Sequence, residues 1–440
     1  MPRSPGPGRG RLALLALAVA HLLPPVDLVP EVLVPEVLLG LLGRTDDALV
    51  ALRPGGAVRC ETGRYLGRER TQPTVIDQPP TRWRRSPARP PATWYTSQRE
   101  RASAGGPSAQ RSAERATGRG GGAGVSETMR AVTQKVVGGP EVLQIASAPV
   151  PEPLPTEIRV RVAAAGVNPV DWKTRAGSGM APVLGAPPFT VGWDVAGTVD
   201  AVGPGVTRFA VGDTVFGMPW FPRQAAAYAE FVTAPSRHFA HRPSRLDAVH
   251  AAALPLAGLT AWQCLVDIAA VQPGQRVLVH AAAGGVGHLA VQIAKSRGAH
   301  VIGTASSGKH DLLHDLGIDE AIDYRREVFE QVVEPVDLVC DLLGGDVALR
   351  SLDVLRPDGL MITLPSSTAA AALTAARERG LRATGMLVEP DGDALDDLAR
   401  LVEQRHLRVI VAETFPLERA AHAHRAGELG RTTGKLVLTT

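Results

Sequence analysis

The sequence predicts an α/β protein in which a small β-barrel-like unit precedes a doubly wound parallel sheet. Two changes of pattern along the chain support this prediction. Up to about residue 250, short strands alternate with Gly/Pro turns, whereas beyond that point strands and amphipathic helices follow one another. The first 128 residues differ from both regions, because they are rich in Arg, Pro and Gly and have no regular period.

This N-terminal segment carries 18 Arg, no Lys and 11 acidic residues. It opens with "MPRSPGPGRGRLALLALAVAHLL", which resembles a secretory signal but holds too short an apolar run to span a membrane. The remainder cannot bury enough apolar surface to offset its ordering entropy. We therefore predict a disordered, low-complexity extension over residues 1–128, or upstream sequence ahead of a true start at Met129.

The charge and cysteine content of the rest of the chain exclude several classes of protein. Residues 129–440 hold 29 basic and 33 acidic residues, so they offer no basic face for nucleic acid. Cys60, Cys264 and Cys340 form neither a disulfide framework nor a paired-cysteine metal motif. This composition suits a reducing compartment, and we expect a cytoplasmic protein that binds neither nucleic acid nor membrane.

The first patterned unit contains several short strands. "EIRVRVAAAGV" (157–167) alternates like a half-buried strand, and "VAGTVDAVGPGV" (195–206) and "RFAVGDTVFG" (208–217) end in turn residues. "AAYAEFVTA" (226–234) is predicted as a further strand. Such spacing is typical of a small all-β unit.

The second unit alternates between helices and strands. A helical stretch over 248–269 is followed by the strand "RVLVH" (276–280) and the helix "VGHLAVQIAKSR" (286–297), which Gly298 ends. The series continues with "HVIGTA", "KHDLLHDL", "EAIDY", "VDLVCDLL", "DVALRSLDVLR" and "GLMITLP". This order predicts a parallel sheet. The pattern alone leaves open whether the last strand–helix–strand segment (408–440) rejoins the first unit.

A glycine-rich loop lies between the strand "RVLVH" and its helix. In "AAAGGVG", Ala282, Gly284 and Gly287 occupy the three glycine positions of G-x-G-x-x-G, and Gly285 and Val286 complete the loop. The second glycine lets the backbone approach a pyrophosphate, and the third lets the helix pack closely on the strand. The helix N-terminus then offers free N–H groups to the phosphates, so the loop predicts a dinucleotide site.

The end of the next strand distinguishes between dinucleotides. An NAD site has an acid there for the ribose diol, but this strand ends in "GTASSGK" without one. Small residues leave room for a phosphate on the ribose, to which Ser306 and Lys309 are able to donate. We predict NADPH, the alternative being that Lys309 is only an exposed lysine of the first helical turn.

The body of the chain resembles the medium-chain dehydrogenase/reductase superfamily, closest to its zinc-free quinone oxidoreductase-like branch. The resemblance covers residues 129–440 and is carried by "AAGVNPVDWKTRAG", "GWDVAGTVDAVGPGV", "GDTVFG", "LAGLTAW", "HAAAGGVG", "TASSGK", "AIDY" and "GKLVL". It implies a GroES-like β-barrel catalytic domain at 129–252, completed by 389–440, and a Rossmann NADP-binding domain at 253–388. It also suggests a homodimer.

The resemblance further implies that the chain holds no catalytic metal. Zinc members place a Cys in the "GVN" segment and a His in the "GWD" segment, where this chain has Asn168 and Trp193. The third ligand position falls near Leu256. Because zinc needs several converging donors, we predict no metal site and no Lewis acid in the reaction.

The same resemblance assigns catalytic and substrate-binding roles. Asn168 is implied to face the nicotinamide ribose and the substrate, although it also fits a turn asparagine before Pro169. Lys173 is implied to steady a carbonyl oxygen or donate a proton, the alternative being an exposed lysine. An apolar wall for a flat acceptor is predicted from three aromatic residues that otherwise simply pack in the core: Trp193, Trp220 and Phe221.

Further cofactor contacts follow from the resemblance alone. Thr260 resembles the residue that contacts the nicotinamide half of the cofactor, and Tyr324 resembles the tyrosine that reaches its phosphates. Leu343 and Leu364 follow the two strands that flank the nicotinamide in the family. Tyr324 and the two leucines also fit ordinary core positions.

The resulting functional hypothesis is an NADPH-dependent, zinc-independent reductase of quinones or activated C=C bonds. A conjugated acceptor spreads the incoming charge, so the protein mainly has to orient the reactants and exclude water. An enoyl-thioester reductase is the close alternative, because "TASSGKHD" also resembles enoyl-reductase domains of polyketide synthases. A non-catalytic NADPH-binding protein is the alternative from another class.

Overall fold

The computed structural model describes residues 127–440. The predicted N-terminal extension therefore lies, apart from its last two residues, outside the described part of the chain. The strands are β1 (Thr128–Thr133), β2 (Gln144–Pro149), β3 (Glu157–Val167), β4 (Asp194–Val202), β5 (Thr214–Gly217), β6 (Phe231–Pro235), β7 (Phe239–His241), β8 (Arg276–Val279), β9 (His300–Ala305), β10 (Glu320–Asp323), β11 (Val336–Asp341), β12 (Leu355–Thr363), β13 (Arg382–Gly385), β14 (Val411–Pro416) and β15 (Lys435–Thr439).

Helices connect and cover these strands. They are α1 (Pro169–Arg175), α2 (Ala181–Leu184), α3 (Ala248–Ala252), α4 (Pro255–Trp262), α5 (Gly287–Ser296), α6 (His310–Asp315), α7 (Phe329–Val332), α8 (Gly345–Ser351), α9 (Ser366–Glu378), α10 (Gly392–Glu403) and α11 (Ala420–Glu428). A π-helix follows α4 at Gln263–Ile268. Within residues 127–440, no helix is long and apolar enough to cross a membrane.

The first large sheet has the order β14-β15-β3-β4-β5-β7, with β6 also paired to β3. Its long strand β3 alternates as the sequence predicts, and Ile158, Val160 and Val162 are buried. The C-terminal strand β15 runs antiparallel to β3, with Leu436 opposite Val167. This pairing answers the question that the pattern left open, because the end of the chain joins the first sheet.

The second large sheet is parallel, with the order β10-β9-β8-β11-β12-β13. This is the strand order of a doubly wound dinucleotide-binding fold, in which ligands bind where the order reverses, outside the carboxyl ends of the strands. Here the reversal lies at β8, between β9 and β11. The predicted α/β architecture, with a GroES-like unit and a Rossmann-type sheet, is confirmed.

Helix α5 packs against α4 and against strands β8 and β9. Leu289, Val291 and Ile293 are fully buried, and each buried aliphatic side chain of this size stabilises the fold by roughly 1.5–3 kcal/mol. Gly298, with φ +79°, follows the end of α5, as predicted for a helix cap.

The helical stretch predicted over 248–269 is not one helix. It divides at Ala253 and Leu254, because Pro255 begins α4 and has no N–H for a bond to the preceding turn. The predicted strand over 226–234 is also shorter than expected. Only Phe231–Pro235 is extended in the sheet, whereas Ala227 and Tyr228 are buried outside it.

Candidate functional site

The glycine loop connects β8 to α5 in the geometry that the motif requires. A Cβ atom on Gly287 would lie 2.2 Å from the carbonyl oxygen of Ala281, so only glycine fits there without moving the backbone. Ala282 is fully buried, and its N–H donates to the carbonyl oxygen of Thr304 on β9 (3.0 Å). A Cβ on Gly303 would lie 2.6 Å from the Cβ of Ala282, so the glycine of β9 leaves the space that the alanine needs.

His288 ties this loop to the C-terminal segment. Its Nδ1 lies 2.8 Å from the carbonyl oxygen of Gly284, and the backbone N–H of Ile410 donates to its Nε2 (3.1 Å). These contacts define a neutral ring that donates from Nδ1. Burial lowers the pKa of His288 to about 4, which agrees with a neutral ring.

A first cavity of ≈ 350 Å³ lies beside the loop, outside the ends of β8, β9 and β10. Ala281, Ala283 and Gly284 of the loop line it, and Leu343 lines the side that follows β11. The predicted residues Ser306, Lys309 and Tyr324 also lie on its wall. The structure therefore brings the loop and the predicted phosphate-binding residues to one cavity.

Lys309 is held at the edge of this cavity by the C-terminal segment. Its Nζ donates to the carbonyl oxygens of Arg431 (3.2 Å) and Thr432 (3.3 Å). Partial burial lowers the pKa of Lys309 from its ordinary value. These two bonds hold the ammonium group beside the cavity, where an anion is able to compete for it.

A second cavity of ≈ 260 Å³ lies on the other side of the same loop. Gly284, Gly285, Val286 and Gly287 form one wall, and Asn168 and Lys435 lie on the opposite sheet. The two cavities share a group of lining residues, namely Ala281, Gly284, Gly430 and Thr432. A dinucleotide that lies across the loop therefore reaches both cavities.

The polar groups of the second cavity form a buried network. Asn168 Nδ2 donates to Asp194 Oδ2 (2.8 Å), and Lys435 Nζ donates to Asn168 Oδ1. Lys435 Nζ also lies 3.4 Å from Asp194 Oδ2, and the backbone N–H of Leu256 donates to Asp194 Oδ1 (2.7 Å). Strand register explains this meeting, because Asn168 follows β3, Asp194 begins β4 and Lys435 begins β15.

Burial governs the electrostatics of this network. Lys435 is 3% exposed and Asp194 is fully buried. Desolvation raises the pKa of Asp194, while the Lys435 ammonium and the Asn168 amide act in the opposite direction and favour the charged carboxylate. Lys435 and Asp194 thus form a buried pair beside the second cavity, which Lys435 lines.

A second buried chain of hydrogen bonds supports Asn168 from behind. Asp171 Oδ2 accepts from the backbone N–H of Asn168 (2.7 Å) and from the Tyr228 hydroxyl (2.8 Å). Tyr228 in turn lies 3.1 Å from Nε2 of His424, whose Nδ1 lies 3.2 Å from an Arg175 guanidinium nitrogen. Burial lowers the pKa of His424 to about 3, so this ring is neutral and donates from Nε2 to Tyr228.

Asp171, which belongs to this chain of hydrogen bonds, makes the stability of the protein depend on pH. Burial raises its pKa from 3.8 to about 7, and its Oδ1 is buried without a hydrogen-bond partner, which leaves room for the proton. Because the pKa of Asp171 is higher in the folded than in the unfolded protein, protonation of this side chain stabilises the fold. The contribution is complete below pH 3.8 and is lost as the pH rises through about 7. We expect Asp171→Asn, which resembles the protonated acid, to remove this dependence of stability on pH.

Urea denaturation of both proteins between about pH 4 and about pH 8 measures this effect. The free energy of unfolding of the wild type should fall relative to that of Asp171→Asn by up to ~1.4 kcal/mol per pH unit as the pH rises. The buried histidines titrate in both proteins and cancel in the difference. Parallel curves for the two proteins would contradict the assignment of the proton to Asp171.

Comparison with known proteins places this geometry in a family. Residues 154–244 match the model described as "Alcohol dehydrogenase GroES-like domain", and residues 316–438 match that described as "Zinc-binding dehydrogenase". A 2-haloacrylate reductase from a Burkholderia species is 36% identical in an alignment 331 residues long that covers 70% of this chain and 98% of that one. The chain belongs to the medium-chain dehydrogenase/reductase superfamily. The family predicted from the sequence is therefore confirmed.

Solved structures agree with the quinone oxidoreductase-like branch of that superfamily. The quinone oxidoreductase from Coxiella burnetii superposes with a TM-score of 0.69 at 39% identity, covering 71% of this chain and 100% of that one. A mycobacterial protein solved in complex with NADPH superposes with a TM-score of 0.63 at 32% identity and the same coverage of both chains. Together with the loop geometry, membership of this superfamily supports a nicotinamide cofactor.

The three positions at which zinc members of the superfamily carry ligands do not fit zinc here. The Asn168 amide is engaged by Lys435 and Asp194, and the indole N–H of Trp193, which is a donor only, bonds to the carbonyl oxygen of Arg223 (2.6 Å). The Leu256 side chain has no donor atom. Within residues 127–440, no three His, Cys, Asp or Glu side chains form a group that could hold a metal ion.

Several residues predicted from the superfamily lie away from both cavities. Lys173 is exposed on α1 and lines neither cavity, because helical periodicity turns it away from Asn168. Thr260 bonds within its own helix to the carbonyl oxygen of Leu256 (2.6 Å). Leu364 packs against the core instead of a cavity, whereas Leu343 is 51% exposed on the wall of the first one.

The predicted aromatic wall is also placed elsewhere. Trp193 is fully buried and packs edge-to-face on Phe221, with ring centroids 5.4 Å apart. The indole N–H of Trp220 donates to the carbonyl oxygen of Thr233 (2.8 Å). None of the three lines the first or the second cavity, because Trp193 and Phe221 belong to a buried apolar cluster and the partly buried Trp220 packs against it.

The sequence interpretation missed two residues that line the second cavity, Lys435 and Trp172, and also Asp194, which bonds to Asn168. Asp194 and Lys435 lie inside the motifs "GWD" and "GKLVL", but neither motif reveals that the two side chains meet. Trp172, in "VDWK", lines the cavity, whereas the lysine beside it does not. The available signal was helical spacing, because Trp172 lies four residues after Asn168 and therefore on the same face as the N-cap.

Proposed function

We propose that the protein is an NADPH-dependent oxidoreductase that transfers a hydride to a quinone or to an activated C=C bond. One observation carries the proposal. The glycine-loop cradle opens directly into a small cavity with mainly apolar walls. Among the described residues that line it, the only ionic side chain is that of Lys435, which pairs with the buried Asp194. Such a site suits an uncharged, conjugated acceptor.

The residues of the first cavity support NADPH as the cofactor. From Ala305 to Lys309 the chain offers no acid for a ribose diol, and Ser306 and Lys309 lie on the cavity wall. The Lys309 ammonium is a donor that suits a phosphate on the ribose. When bound, the reduced nicotinamide supplies a hydride to the acceptor.

The second cavity orients the acceptor and supplies a proton donor. Val167, Leu256 and Leu342 give it aliphatic walls that exclude water. The Asn168 amide is occupied by its partners on both sides, so its part is to fix the position of Lys435. Lys435 has three N–H donors, of which Asn168 and Asp194 engage two, and the third is left for an acceptor oxygen.

Cofactor preference gives a direct test of Lys309. We expect Lys309→Gln, which keeps a donor but removes the charge, to raise the Kd of NADPH by about tenfold or more, because a hydrogen bond to a charged group contributes ~1.5–3 kcal/mol. The Kd of NADH should change by less than about twofold. Titrations followed by nicotinamide fluorescence measure both values, and equal weakening for the two cofactors would contradict the assignment.

An acceptor screen tests the function itself. We expect NADPH consumption with phenanthrenequinone and with linear alkenals. Faster turnover of crotonyl-CoA than of either would favour an enoyl-thioester reductase. Tight NADPH binding without turnover of any acceptor would overturn the proposed activity and favour a non-catalytic NADPH-binding protein.

A further inference from the structure

Trp172 differs in character from the rest of the second cavity. Among the described residues that line this cavity, it is the only aromatic side chain, and the others are aliphatic, small or part of the Asn168–Lys435 network. It lies on α1, one turn after Asn168, and it lines the second cavity without lining the first. It therefore faces the space assigned to the acceptor and lies away from the residues assigned to the adenosine half of the cofactor.

The indole ring is held in place by α11. A Cβ on Gly427 would lie 2.6 Å from Cζ3 and 2.9 Å from Cη2 of Trp172, so the ring rests directly on a helix position that has no side chain. The His424 ring packs edge-on against the indole, with centroids 6.2 Å apart. His424 is itself fixed by Arg175 and Tyr228, so the indole has a rigid backing.

We propose that Trp172 is the specificity-determining residue that favours planar, electron-poor ring acceptors, namely quinones, over linear alkenals. This inference rests on the proposed function and assigns a substrate class to the same cavity. An indole has an electron-rich face, and a quinone ring is flat and electron-poor, so offset stacking stabilises the pair by ~0.5–1.5 kcal/mol beyond the area buried. A linear alkenal buries apolar area against the indole but has no ring to stack.

Matched substitutions separate the aromatic contact from simple bulk. Trp172→Phe keeps an aromatic face, and Trp172→Leu keeps an apolar side chain without one. We expect Trp172→Leu to lower kcat/KM for phenanthrenequinone relative to that for a linear alkenal by roughly 3- to 10-fold, the stacking contribution expressed as a ratio. Trp172→Phe should keep the wild-type ratio within about twofold.

Gly427→Ala tests the backing of the ring without changing the indole. The added methyl group has to push the indole towards the cavity, because it would otherwise lie 2.6 Å from Cζ3. We expect a higher KM for phenanthrenequinone and an unchanged Kd for NADPH. A raised NADPH Kd of similar size would show that the variant disturbs the cofactor cradle, which would contradict the assignment of this wall to the acceptor.

A binding measurement gives a readout that does not depend on turnover. The Kd of phenanthrenequinone for the complex of the protein with NADP⁺, measured by calorimetry, should rise with Trp172→Leu and stay near the wild-type value with Trp172→Phe. Thermal unfolding checks that each variant is folded. Equal losses for quinone and alkenal, or an unchanged quinone Kd in Trp172→Leu, would overturn the inference.

The experiments distinguish a failure of the proposed function from a failure of this inference. If the wild type binds NADPH but reduces none of the acceptors in the screen, the oxidoreductase proposal is wrong. The quinone Kd of the NADP⁺ complex then still decides whether Trp172 recognises a planar ring.

Discussion

Replacing Lys435 with methionine will lower the free energy of unfolding by about 3–5 kcal/mol, because it leaves the fully buried Asp194 carboxylate without its countercharge. This loss of stability should be smallest at acidic pH. Without Lys435 the pKa of Asp194 rises further, and a raised pKa in the folded state favours stability at low pH, where the carboxyl is neutral. Urea denaturation across the pH range measures both effects.

The double variant Asp194→Asn/Lys435→Met is the matched control. It removes both charges and keeps an amide oxygen that is able to accept from the backbone N–H of Leu256. We expect it to recover more than half of the stability that Lys435→Met loses, since two neutral groups carry no unpaired charge. Additive losses in the double variant would show that the two charges do not interact.

Replacing Gly287 with alanine will weaken dinucleotide binding by about 10- to 100-fold, equivalent to roughly 1.4–2.8 kcal/mol. The new methyl group would lie 2.2 Å from the carbonyl oxygen of Ala281 and 2.7 Å from Cα of Ala282, which are backbone atoms that cannot turn aside. The loop therefore has to move away from the position in which its N–H groups converge on the phosphates. Fluorescence titration with NADPH measures the change.

Gly308→Ala is the control for this substitution. Gly308 lies in the turn beside the first cavity, and a Cβ there meets no atom within 4 Å. We expect its NADPH Kd to stay within about twofold of the wild-type value. Equal weakening in both variants would mean that loss of any glycine near the cofactor has the same effect, and that close packing at Gly287 is not the cause.

The fold could be predicted from the sequence because the apolar residues of each unit recur with a period that is typical of its secondary structure. The alternation over 157–167 and the strand–loop–helix at 276–297 are local signals, and the structure has a strand and a strand–helix pair at those places. The π-helix at Gln263–Ile268 could not be predicted in this way, since the residues there carry no local signal that separates it from a continuation of α4. The break at Pro255, by contrast, was visible in the residues themselves.

The candidate site was only partly predictable for a different reason. The glycine loop and the residues of the next strand end are close in sequence, so they were found together. Asn168 and Lys435 are 267 residues apart and meet only because β15 pairs with β3, and no local pattern encodes that register. Trp193 and Trp172 are both aromatic residues beside a motif, and only packing places one in the core and the other at the cavity.

The central claim is that a reduced nicotinamide beside the glycine loop passes its hydride to an acceptor in the second cavity. The most direct measurement uses NADPH that carries deuterium at the hydride-donating carbon, together with a linear alkenal, and locates the label in the product by mass spectrometry and NMR. We predict one deuterium on the β-carbon of the reduced alkenal. Product that carries only solvent hydrogen at that carbon, or labelled NADPH that binds tightly and is never consumed by any acceptor, would contradict this account.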